Sequence, residues 1–232
     1  MIDRKISSYL AMFSHELKSP LNNIINLTKL IELSIQEADE GKLKKYLSLV
    51  MSSAFYLKTL INNTIEFGKI NHGKSEVYPE EFNIVETLFE MVDLTKIMLG
   101  PKPVEVKFNY PLESFYIVSD PVKIKQILLN IASNAAKFTK EGCITFSLFD
   151  SGDFVTITVE DTGKGIKDIE LNRLFHPFCK LENSHERKCD STGLGLYITR
   201  QLLNMLGGEI SIESEYGKGT TVYITIPKNY KE

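Results

Sequence analysis

The chain has 232 residues, 43% of them hydrophobic and 25% charged, with a formal net charge of −3. That composition is globular, with room for one large or two modest domains, and gives no reason to expect nucleic acid as a partner. No apolar run is long enough to span a membrane, no secretory signal opens the chain, and three cysteines (Cys143, Cys179, Cys189) suit a reducing compartment rather than a disulfide framework.

Leu10, Phe13, Leu17, Leu21, Ile24 and Ile31 fall at intervals of three, four and seven, which predicts an amphipathic helix over residues 2–37. His15 stands two residues from both Phe13 and Leu17, about 200° around a helix from each, so it is expected on the polar face. Ser19 follows one turn later on that face, and Glu16 adjoins the histidine. Pro20 cannot bond back to the Glu16 carbonyl, so a bend is expected just beyond His15. Taken alone, a histidine on a polar helix face is an ordinary solvated residue. A polar break over residues 38–42 precedes a second helix over 43–70, where Tyr46, Leu49, Val50, Ser53, Leu57, Leu60, Ile61, Thr64 and Phe67 keep a three-four rhythm. Two helices joined by a short turn form an antiparallel hairpin, which cannot close a core by itself. Pairing with a second copy into a dimeric four-helix bundle would close it; packing on the rest of the chain is the alternative.

Residues 71–75 are polar and contain glycine, which sets a boundary between a domain over 1–72 and one over 78–232. Beyond it, a helix is predicted over 84–99, strands over 104–109 and 115–119, and a helix to residue 138 opened by Asp120 and Pro121. Strands over 143–149 and 154–160 form a hairpin, followed by a short helical piece near 171–174 and a helix over 194–206 ended by Gly207 and Gly208. Strands over 209–214 and 220–226 close the domain. The fold class expected is α+β: a helical hairpin followed by an α/β sandwich, one sheet covered on one face by helices.

Asn130 and Asn134 are four apart, so their amides share a helix face, and Lys137 lies about one turn on. Amide oxygens are hard ligands suited to Mg2+, and a lysine offers a point charge to phosphate; the same residues could equally form a wet helix face. Two glycine clusters follow, Asp161-Thr162-Gly163-Lys164-Gly165 after a strand and Ser191-Thr192-Gly193-Leu194-Gly195 at a helix start. Glycines permit close backbone approach, and a helix N-terminus receives phosphate, although either cluster alone is more often a turn. No P-loop pattern occurs. His176, Cys179, His185 and Cys189 are loosely spaced like zinc ligands but contain no tight C-x-x-C pair.

Together, His15-Glu16, Ser19-Pro20-Leu21-Asn22 and the later segments resemble the histidine, asparagine, glycine and phenylalanine boxes of sensor histidine kinases, the last carried by Phe175-His176-Pro177-Phe178. Ser19 stands where that family usually has threonine or asparagine, and Ser191 where it usually has glycine. The resemblance implies an ATP-binding domain shared with gyrase-type ATPases and heat-shock chaperones. It implies His15, Glu16 and Ser19 as catalytic residues, and Mg2+ on Asn134 with help from Asn130. It implies ATP contacts from Asn130, Asn134, Lys137, Asp161, Gly163, Gly165, Thr192, Gly193, Leu194 and Gly195, with Asp161 on the adenine amine. Residues 179–190 would be a lid carrying Arg187 and Lys188 toward the γ-phosphate. ATPase members have glutamate at the position of Asn130; an amide cannot take a proton from water, so hydrolysis is disfavoured. The implied function is ATP-dependent autophosphorylation of His15 in a homodimer, then transfer to an aspartate of a response-regulator receiver domain. That receiver would lie on a separate chain or a removed C-terminal domain. A phosphatase-dominant regulator and an inactive ATP-binding dimerisation module are the alternatives. The expected setting is cytoplasmic, as a catalytic fragment of a longer, membrane-bound sensor.

Overall fold

The computed structural model describes residues 2–110, 113–179 and 193–231, with the side chains of residues 2–12 and of His15 outside that description. Helix α1 (Ile2–Gln36) and helix α2 (Glu40–Asn71) form the hairpin. The break between them is shorter than residues 38–42. Ala38 takes a left-handed turn at φ 53°, and Asp39 accepts a hydrogen bond from the Lys42 N–H at 2.9 Å. That cap restarts the helix at Glu40, so Gly41 and Lys42 are helical. Register is marked by Asn23 Nδ2 donating to Ser53 Oγ at 2.7 Å.

Helix α1 continues through Pro20, which is buried together with Glu16, Leu27 and Ser34. Leu21 falls outside this inner face and is 46% exposed, contrary to the expected stripe. Ile25 and Leu33 on α1 and Met51 on α2 are exposed as well, so an apolar strip remains that neither helix covers. A second face of α2, with Thr59, Leu60, Asn63 and Glu66 buried, packs on the C-terminal half. Phe67 meets Phe178 and Tyr197 edge-on, at 5.5 and 6.0 Å between ring centroids. Ser52 Oγ donates to the Met98 carbonyl at 2.7 Å. The hairpin therefore packs on the rest of its own chain through α2 and still leaves an open strip.

Strand β1 (Glu80–Asn83), which the sequence pattern did not predict, pairs antiparallel with β3 (Tyr116–Ser119). Between them lie α3 (Ile84–Leu99) and β2 (Val104–Asn109). Helix α4 (Pro121–Phe138) starts where Asp120 accepts from the Lys123 N–H at 3.0 Å. Its far end is capped by Lys102, whose Nζ donates to the carbonyls of Ala136 and Thr139. Strands β4 (Gly142–Ser151) and β5 (Phe154–Asp161), helices α5 (Asp168–Leu171) and α6 (Gly195–Met205), and strands β6 (Glu209–Glu215) and β7 (Gly219–Pro227) complete the domain. Helix α5 lies three residues before the segment expected at 171–174. The main sheet has the order β2-β4-β5-β7-β6, parallel only between β2 and β4. Inward residues such as Phe146, Ile157 and Ile224 alternate along its strands and pack against α3, α4 and α6 to form the core. No helix among the described residues is long and apolar enough to cross a membrane.

Candidate nucleotide-binding site

One wall of a cleft beside the sheet is α4, which presents Asn130, Asn134 and Lys137. Asn134 is half-buried, as expected of a residue facing the cleft, but Asn130 is not on a wet face: it is only 2% exposed. Helix α6 covers it, and Asn130 Nδ2 donates to the Gly195 carbonyl and to Thr199 Oγ1, each at 3.4 Å. With its N–H groups turned to α6, the amide keeps its Oδ1 as the acceptor. Helix α6 begins behind Leu194, whose side chain makes no cap, and its first residue, Gly195, lines the cleft. A Cβ added at Gly195 would meet the side chains of Asn130 and Asn63 at 3.8 Å, ordinary contact distance, so both carboxamides border the first residue of α6. Two amide oxygens beside the positive end of a helix suit a phosphate chain carrying Mg2+, and these residues fit that group.

The other end of the cleft is built around Asp161. Its Oδ1 accepts from the Gly163 N–H at 2.8 Å, and β7 brings Thr220 opposite it. Burial pushes its pKa up to about 6, against the pull of the Gly163 and Thr220 N–H groups, and the Glu160 charge adds a little. A Cβ on Gly163 would stand 2.6 Å from the Asp161 Oδ1 and 2.7 Å from the Phe138 carbonyl, so glycine there leaves room both for the carboxylate and for strand–helix packing. Gly165, at φ 66°, has the Glu215 carbonyl 2.0 Å from its Cβ position; only glycine fits there, for reasons of backbone packing. Lys137 and Lys164 hold their ammonium groups over the Phe138 ring, at 5.4 and 4.8 Å. Lys137 also lies over Tyr56 at 5.6 Å, so in this structure it rests on aromatic faces. Asp161 thus sits by the C-terminal end of α4, while Asn130 is two turns, about 12 Å, nearer its start. The cleft therefore has a carboxylate end suited to a purine and an amide end suited to phosphates.

Leu194, expected to touch ATP, is instead fully buried in the core, because the residue preceding α6 turns inward between helix and sheet. Gly193 lines the cleft beside Cys179. Arg187, Lys188 and Thr192 lie outside the described residues, as does nearly all of the lid segment, and so do His185 and Cys189 of the zinc-like cluster. The sequence reading missed a whole wall: Tyr56, Thr59, Leu60 and Asn63 of α2 line the cleft. The available signal was the line of polar residues Thr59, Asn63 and Glu66 beside the apolar Phe67 and Ile70, a helix face suited to a polar neighbour. On α1, Ser19 is exposed and Glu16 only 2% exposed. His15 lies eight residues before Asn23, and Ile61 eight after Ser53, so the antiparallel register puts His15 level with Ile61. The backbone of His15 therefore stands at the height of the cleft-lining segment of α2.

Residues 5–73 match the His Kinase A (phospho-acceptor) domain, and residues 119–230 match the histidine kinase-, DNA gyrase B-, and HSP90-like ATPase family. The autoinducer 2 sensor kinase/phosphatase LuxQ of Vibrio vulnificus is 33% identical over 229 residues, which is 95% of this chain and 26% of LuxQ. The aerobic respiration control sensor protein ArcB of Escherichia coli is 31% identical over 226 residues, 96% of this chain and 29% of ArcB. The chain thus spans between a quarter and a third of these relatives. The crystal structure of full-length ShkA in complex with AMPPNP superimposes with a TM-score of 0.65 at 27% identity, covering 96% of this chain and 46% of ShkA. Phospho-acceptor hairpin, nucleotide-type cleft and both family matches agree: the chain belongs to the sensor histidine kinases, as a catalytic core.

Proposed function

We propose that this chain is an ATP-dependent protein-histidine kinase that phosphorylates His15 and passes the phosphoryl group to an aspartate of a response-regulator receiver domain. In this reading residues 1–72 dimerise and carry the acceptor, residues 78–232 bind ATP, and the whole is the cytoplasmic part of a longer sensor. The observation that carries the reading is the buried amide of Asn130. It occupies the phosphate end of the cleft, and among the described lining residues the one carboxylate, Asp161, is at the other end. Among the described lining residues no carboxylate stands beside Asn130 to activate water, which supports ATP being held for a different acceptor.

Asp161 would accept from the exocyclic amine of adenine, and the first N–H groups of α6 would receive the phosphates. Asn134 and Asn130 would hold Mg2+, which, when bound, neutralises charge on the β- and γ-phosphates. An imidazole nitrogen of His15 attacks the γ-phosphorus in line as its bond to the bridging oxygen breaks, and ADP leaves. Glu16, its neighbour on α1, would favour the nucleophilic tautomer. Incubation with γ-labelled ATP and Mg2+ should give an acid-labile label on the wild-type chain and none on His15→Gln, with ATP affinity unchanged. An acid-labile label that survives in His15→Gln would move the acceptor to another histidine.

A further inference from the structure

Helix α2 carries three buried polar residues in one line, Thr59, Asn63 and Glu66. Two are satisfied nearby: Thr59 Oγ1 donates to the Phe55 carbonyl at 3.0 Å, and a Glu66 carboxylate oxygen accepts from Ser75 Oγ at 2.7 Å. Asn63, between them, is only 5% exposed, yet its Oδ1 is closed off from solvent and meets no hydrogen-bond partner among the described residues. An unpaired buried amide oxygen destabilises the fold, and an apolar side chain would pack the same helix face without that cost. Its position suggests what the cost is for. Asn63 lines the cleft, and its Nδ2 is 3.8 Å from the point where a Cβ on Gly195 would stand, the same point that the Asn130 Oδ1 borders at 3.8 Å. Two carboxamides from different domains thus flank the uncapped start of α6. A carboxamide can give an N–H to a phosphate oxygen and accept from a metal-bound water.

We propose that Asn63 is a nucleotide-binding residue contributed by the hairpin. Its carboxamide takes the polyphosphate–Mg2+ end of ATP beside Asn130, and bound nucleotide thereby ties the acceptor hairpin to the ATP-binding domain. The proposal rests on the cleft being the ATP site. It makes the hairpin part of the binding site: Nδ2, which faces the start of α6, donates to a phosphate oxygen, and the unpaired Oδ1 is left to accept from a water held by the phosphate-bound Mg2+.

Calorimetric titration of the full chain with Mg2+–AMPPNP and with adenosine tests it, since adenosine engages only the purine end. Asn63→Ala should weaken Mg2+–AMPPNP about tenfold and leave adenosine affinity unchanged. Asn63→Leu, which keeps the volume, should weaken AMPPNP equally while the nucleotide-free chain melts at the same or a higher temperature. Unchanged AMPPNP affinity overturns the proposal. So does an equal loss for both ligands, or a lower melting temperature in both variants, because each makes Asn63 a packing residue. If the wild-type chain binds neither ligand, the reading of the cleft itself fails, and that result is distinct from the others.

Discussion

Replacing Asp161 with asparagine separates what this carboxylate does to the fold from what it does for a nucleotide. Burial raises its pKa from 3.8 to about 6. A group raised by folding holds its proton more tightly in the native state, so its contribution is full below about pH 4 and is lost as pH rises through 6. At pH 7.5 the ionised carboxylate therefore costs the fold about 3 kcal/mol, and at pH 4.5 about 1 kcal/mol. Asparagine has nearly the same shape, keeps an oxygen to accept from the Gly163 N–H, and has no charge to desolvate. The variant should be more stable than wild type at pH 7.5 by up to about 3 kcal/mol, and the gain should shrink to about 1 kcal/mol at pH 4.5. Urea unfolding at the two pH values, followed by circular dichroism, measures both. ATP affinity should fall about tenfold or more as the acceptor for the adenine amine loses its charge. The wild-type site should prefer ATP to GTP about ten- to a hundredfold, because guanine turns a carbonyl toward the carboxylate. A variant less stable at pH 7.5, or a gain that does not depend on pH, would refute the desolvation argument. Unchanged nucleotide affinity would refute the purine role.

Two further outcomes are expected. The exposed apolar strip formed by Leu21, Ile25, Leu33 and Met51 should make the full chain sediment as a dimer at micromolar concentration, and Ile25→Glu should shift it toward monomer; a compact wild-type monomer would remove the four-helix bundle. Ser19 is exposed on α1; if its hydroxyl positions a water for dephosphorylating the receiver, Ser19→Ala should leave His15 labelling within a few-fold and slow only dephosphorylation of a phosphorylated receiver domain, whereas loss of His15 labelling would assign the serine to the kinase step.

Elements set by local chemistry were legible in the sequence. Asp120 and Pro121 announce α4, Gly207 ends α6, and the three-four spacing of apolar residues fixes the two long helices. What escaped was set by distant partners. Strand β1 is four residues, Glu80 to Asn83, without apolar alternation, and exists because β3 pairs with it. Asn130 reads as a polar residue on an amphipathic helix, but α6, which buries it, comes 65 residues later. The glycines at 163 and 165 read as ligand approaches; Gly165 does line the cleft, and both are also required by packing, Gly163 against the Asp161 carboxylate and the Phe138 backbone and Gly165 against the Glu215 backbone, partners the sequence does not show. Leu21 belongs to the helical stripe by spacing and to the open strip by structure, because one partner helix covers only part of so wide a stripe.

The hairpin's second face bears on how acceptor and donor meet. Ser53, which touches α1 through Asn23, and Asn63, which lines the cleft, are ten residues apart on α2, and ten steps of about 100° leave them about 80° apart. Helix α1 and the cleft therefore occupy neighbouring quadrants of α2 and not its opposite sides. Bringing the phosphate end of the cleft onto α1 calls for the ATP-binding domain to swing around α2, with no need to pass it. Contacts of different kinds hold the interface along α2. Near the cleft it is mixed, with Thr59 and Asn63 beside Tyr56 and the buried Leu60. Farther along α2 it is aromatic, through Phe67 against Phe178 and Tyr197, and exposing those rings is expensive. Phe67→Ala should therefore loosen the docked state as a whole, whereas substitutions at Asn63 act on the nucleotide end alone.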